Sequence, residues 1–218
     1  MIKKFYKERL KTALPILIYL PVYFIWFGMI ELLPYRDFLR TDMGIDRSIP
    51  FIRQFIVPYF LWFLFVPGVG IYLLFKDKEE FKIFQILLIA GMTLFLVINT
   101  LMPTGINLRP HTVPGNDIFS VLVRFLYSID TSTDVLPSIH VYNTIVACSC
   151  IFESKDKFAK SRPCRIAVIV ITVLIILSTV FLKQHSVLDV VFGIAMYPFW
   201  DIIIRKYKSR KHIIAYNQ

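Results

Sequence analysis

Charge is scarce in this chain. Asp, Glu, Lys and Arg make up 18% of its 218 residues, hydrophobic residues make up 56%, and the mean hydropathy is +0.63. That balance lies outside the soluble globular range and inside the range of polytopic membrane proteins. Cysteine is almost missing. Cys148 and Cys150 share one apolar run at a spacing that points them apart, and Cys164 stands in a basic segment, so neither a disulfide framework nor a zinc spacing exists. No internal repeat and no linker divides the chain, and residues 1–218 read as a single membrane-embedded domain. The net charge of +10 does not point to nucleic acid, because the excess lies in short segments beside apolar runs. There it sets topology and meets anionic lipid head groups.

The long apolar runs carry the fold. Six approach the roughly 20 residues needed to cross a hydrocarbon core: 12–33, 55–75, 83–102, 137–152, 166–182 and 187–204. The predicted fold is an all-α integral membrane bundle of six transmembrane helices. The first run follows Lys3, Lys4, Lys7, Arg9 and Lys11, contains Pro15 and Pro21, and has no small-residue cleavage site, so it reads as a retained signal anchor. Alternate inter-run segments hold 18 of the 25 Lys and Arg residues and the others 7. This positive-inside bias predicts a plasma-membrane protein with both termini cytoplasmic. Between the third and fourth runs, Asp117, Ser120, Arg124, Ser128 and Thr131 recur every three or four positions among apolar residues. That pattern predicts a short amphipathic helix lying in the outer interface as a roof.

Three ionisable clusters stand at the extracytoplasmic ends of these runs. They are Arg109-Pro110, Pro137-Ser138-Ile139-His140, and Lys183-Gln184-His185 with Asp189. Such groups are costly at a membrane edge and suggest a reaction site. Pro137 suits the first turn of a helix, which would begin between Asp134 and Pro137 and aim the N–H groups of Ser138, Ile139 and His140 at an anion. His185 and Asp189 share a helical face, so the carboxylate can hold one imidazole nitrogen and leave the other as nucleophile or base. Arg109 offers a planar fork for phosphate, and Lys183 a second cation. Together these groups describe metal-free, cofactor-free phosphoryl transfer.

At these residues the chain resembles the type 2 phosphatidic acid phosphatase superfamily, whose motifs run Lys-x6-Arg-Pro, Pro-Ser-Gly-His and Ser-Arg-x5-His-x3-Asp. Ile49-Pro50-Phe51, Pro58-Tyr59 and Trp62 also resemble the branch related to inositol phosphorylceramide and sphingomyelin synthases. The chain departs from the motifs at Met102, Ile139 and Thr179, which stand where the family has Lys, Gly and Arg. A helix continued from Thr179 would bring Lys183 to the missing Arg's face, and Arg124 is a second substitute. The resemblance implies a lipid phosphatase acting on a lipid phosphate or phosphodiester at the extracytoplasmic face. His185 would form a phosphohistidine and Asp189 would fix its tautomer. His140 would serve as acid and then base, and Arg109, Lys183, Ser138 and Ile139 would hold the phosphoryl group. The alternatives are a lipid phosphotransferase, or a transporter or scaffold that kept the fold without the chemistry. A transporter would more often carry mid-membrane charges and repeated halves, and neither is evident.

Overall fold

Residues 2–32 and 37–216 are described by the computed structural model, which is helical almost throughout. The helices are α1 (Ile2–Glu31), α2 (Ile56–Lys76), α3 (Lys78–Leu101), α4 (Ile118–Ile129), α5 (Ile139–Glu153), α6 (Arg162–Phe181) and α7 (Val187–Tyr216). Five of them, all but α4 and α5, are long and apolar enough to cross a membrane. The remaining expected span, the fourth run, is α5, at 15 residues about 22 Å long and short of a hydrocarbon core of about 30 Å. It packs against α2, α3, α6 and α7. Protein rather than lipid therefore surrounds it, and a short helix is tolerated there.

The helices alternate in direction and leave polar contacts at both ends of the bundle. At one end Asp77, the single residue between α2 and α3, accepts from Glu80 N–H with one carboxylate oxygen. The other oxygen accepts from Ser154 Oγ and Lys155 N–H. One side chain thus caps α3 and fastens the α5–α6 loop. Nearby, Arg205 of α7 bridges Glu80 and Asp201 at 2.7 Å each. At the other end Asn99 donates to the Leu136 carbonyl at 2.9 Å and accepts from Thr104 Oγ1 at 2.7 Å. Thr104 Oγ1 in turn accepts from the N–H groups of Val135 and Leu136. These bonds satisfy buried backbone and hold the loop that delivers α5. A two-residue parallel pairing of β1 (Leu39–Arg40) with β2 (Thr104–Gly105) ties the segment before α2 to the loop after α3.

Two close approaches set the spacing around α5. A side chain at Gly91 would lie 2.0 Å from the Tyr142 ring, and one at Gly193 would lie 2.8 Å from the Ser138 carbonyl. Only glycine lets α3 and α7 come this near. The start of α5 differs from expectation. Ser138, not Pro137, governs it: Ser138 is the N-cap, its Oγ accepts from Val141 N–H at 3.4 Å, and Ile139 is the first helical residue. The expected roof helix is α4, capped by Asp117. Ser120, Val123 and Leu126 are buried on its inner face, while Ile118, Val121, Phe125 and Ile129 form an exposed apolar stripe. The inner face is thus more apolar than polar, because it packs on α2 rather than on water.

Candidate active site

Helix α6 ends at Phe181 and the chain reverses within five residues into α7. Lys183 takes the left-handed conformation, with φ of 52°. Its N–H bonds the Val180 carbonyl and the Gln184 N–H bonds the Thr179 carbonyl, the pairing that closes a helix at a left-handed residue. The turn places His185 directly before α7. Ser186 and Asp189 then cap that helix reciprocally: Ser186 N–H donates to Asp189 Oδ2 at 2.7 Å and Asp189 N–H donates to Ser186 Oγ at 3.1 Å. The same carboxylate oxygen lies 3.7 Å from His185 Nδ1. Asp189 is fully buried and His185 is 7% exposed. Asp189 Oδ1 and His185 Nδ1 are both buried without a hydrogen-bond partner.

The second histidine comes from α5. The Ser138 N–H donates to the Asp189 carbonyl at 3.0 Å, which docks the start of α5 onto the first turn of α7. His140 Nδ1 then stands 3.5 Å from His185 Nε2. Three rings of α2 wall His140: Trp62 at 4.5 Å, Tyr59 at 4.8 Å and Phe63 at 6.4 Å between centroids. Because Ser138 is the cap and its N–H is engaged, the N–H groups that first-turn geometry leaves over belong to Ile139 and His140.

The expected cations are placed unequally. Arg109 is tied to Gln184, the neighbour of His185, and donates to the Thr131 carbonyl, with its guanidinium 4.4 Å over the Tyr127 ring. Its Nε is buried without a partner, and burial lowers its pKa. Lys183 turns away from the histidines. Its ammonium donates at 2.6 Å to the carbonyls of both Asp46 and Ile49, because the helix does not continue past Phe181 and the left-handed turn redirects the side chain. Burial pulls the Lys183 pKa down. Arg124 lies on the outside, donating to the carbonyls of Val113 and Gly115. Met102 is exposed and Thr179 fully buried, so neither position carries charge into the site.

Several participants escaped the sequence reading. Asp130 Oδ2 accepts from Tyr59 Oη at 3.0 Å and from Gln184 Nε2 at 2.9 Å, linking the roof to the histidine turn. Burial raises its pKa, against the pull of the Tyr59 hydrogen bond. A signal was available: Asp130 is the C-cap of α4, where the helix dipole disfavours a carboxylate. Asp46, 1% exposed, accepts from Val187 N–H with Oδ1 and from Met43 N–H with Oδ2, so it caps α7 from a distant loop. Nothing in its local sequence marked it.

The arrangement sets His185 Nε2, with the Asp189 carboxylate behind its ring, against a second histidine beside the start of α5, and Arg109 is tied to the residue next to His185. A family model described as the PAP2 superfamily matches residues 84–212, the stretch that holds Arg109, both histidines and Asp189. No curated protein and no solved structure matches the chain at a significant level. The match spans more than half of the sequence, and the chain belongs to the PAP2 superfamily.

Proposed function

We propose that the protein is a membrane lipid phosphatase that removes phosphate from a lipid ester at the extracytoplasmic face through a phosphohistidine. The observation that carries this reading is the facing of His140 and His185 at 3.5 Å, with Asp189 behind His185. A phosphoryl group entering between the rings parts them. With its proton held on Nδ1 toward Asp189, His185 uses the Nε2 lone pair to form the N–P bond as the bond from phosphorus to the lipid oxygen breaks. His140 gives that oxygen its proton, worth about 10² to 10⁴ in rate. It then takes a proton from the water that attacks phosphorus, breaking the N–P bond and restoring both histidines. Arg109 and the N–H groups of Ile139 and His140 hold the phosphoryl oxygens. Lys183, engaged by two carbonyls, serves by shaping the turn that carries His185.

A lipid phosphotransferase of the inositol phosphorylceramide or sphingomyelin synthase type is the second reading. The Tyr59, Trp62 and Phe63 wall around His140 favours it, since an apolar wall beside the base disfavours water relative to a lipid alcohol. The test supplies purified protein with lipid phosphates and phosphodiesters, with and without diacylglycerol or ceramide, and follows both free phosphate and new phospholipid. His185→Ala is expected to abolish either product while leaving the thermal transition unchanged. Normal turnover in that variant would overturn both readings.

A further inference from the structure

At the lysine-rich end of the bundle, far along α1 and α3 from the histidines, the two helices frame a groove of about 600 Å³. Lys11 and Thr12 line it from α1, and Lys78, Lys82 and Gln85 from α3, with Pro15 and Ile86 as its apolar part. Lys82 spends one N–H on Glu79 at 2.6 Å, whereas Lys11 and Lys78 form no ion pair among the described residues. Glu8, also on the wall, leaves cations in excess. Gln85 is 5% exposed, and its Oε1 is buried without a hydrogen-bond partner. The groove therefore offers positive charge, one unmet acceptor and an apolar side. Next to it Leu14, Ile18 and Ile86 are exposed apolar residues on helices long and apolar enough to span a membrane, so an apolar surface borders the groove.

We propose that this groove binds an anionic phospholipid with a hydroxyl-bearing head group, drawn from the leaflet at the lysine-rich end. The phosphate sits between Lys11 and Lys78, a head-group hydroxyl donates to Gln85 Oε1, and an acyl chain runs along Pro15 and Ile86. A soluble anion would meet the two lysines but leave the apolar side uncovered. This site is separate from the histidines, and it stands or falls independently of the phosphatase reading.

The test titrates the purified protein in detergent with dioleoyl phosphatidylglycerol, phosphatidylmethanol and phosphatidylcholine and counts retained lipids by native mass spectrometry. Phosphatidylglycerol should bind about tenfold or more tighter than phosphatidylcholine, and the charge-only variant Lys11→Gln/Lys78→Gln should erase that preference. Gln85→Leu should weaken phosphatidylglycerol severalfold but leave phosphatidylmethanol, which has the charge without the hydroxyl, unchanged. Equal binding of phosphatidylglycerol and phosphatidylcholine, or a preference that survives loss of both lysines, overturns the site. Equal effects of Gln85→Leu on the two anionic lipids overturn the hydroxyl contact.

Discussion

The Asp189 carboxylate has two tasks. Its Oδ2 caps the Ser186 N–H and faces His185 Nδ1, and its Oδ1 is buried without a hydrogen-bond partner. Asparagine at this position can still accept from Ser186 through its carbonyl oxygen, but its amide would favour the wrong imidazole tautomer. Asp189→Asn is therefore expected to keep the fold and lower kcat by on the order of 10³-fold or more, as measured by turnover beside a thermal melt. Lys183 supplies a second residue-scale test, because its backbone conformation and its ammonium are separable. Both Lys183→Ala and Lys183→Gly remove the bonds to the Asp46 and Ile49 carbonyls. Only glycine accepts φ of 52° without strain. The glycine variant should be the more stable of the two by about 1 kcal/mol in denaturant or thermal unfolding. Equal stabilities would mean the turn relaxes away from the left-handed form.

Helices α5 and α7 work as a unit, joined by the Ser138–Asp189 backbone bond and by the close pass at Gly193. A methyl group at Gly193 meets the Ser138 carbonyl and the Val141 side chain, neither of which can yield without moving the start of α5. Gly193→Ala should cost about 1–3 kcal/mol of stability by overpacking. A displacement of about 1 Å between the histidines should lower kcat by about 10²-fold. A crystal structure or turnover assay with His140 and His185 undisturbed would contradict this coupling. The helices themselves were readable from the apolar runs, and α4 from its polar spacing. The local details were not. Pro137 looked like a first-turn residue until Ser138, its N–H drawn to Asp189, took the cap. The left-handed turn at Lys183 carries no glycine to announce it. The polar network was hidden for another reason: Gln184 meets Asp130 across 54 residues and Arg109 across 75, separations that spacing in a sequence cannot reveal.

For the whole molecule, the lysine-rich and histidine-bearing ends lie at opposite ends of alternating helices, and the 18 to 7 split of Lys and Arg predicts which end faces the cytoplasm. Single cysteines at the exposed positions Ser48 and Asn116, in a background lacking the native three, should react with an impermeant thiol reagent on intact cells. A cysteine at Lys157, exposed in the α5–α6 loop, should react only after lysis, and the reverse pattern would invert the orientation. The exposed stripe on α4, Ile118, Val121, Phe125 and Ile129, has a kinetic meaning under the proposed function. A roof that presents greasy side chains outward rests among acyl chains, and substrate reaches the histidines by lateral diffusion in the plane of the bilayer. Encounter frequency is then set by two-dimensional crowding, by how many neighbours of the protein are substrate molecules, and not by how much substrate the vessel contains.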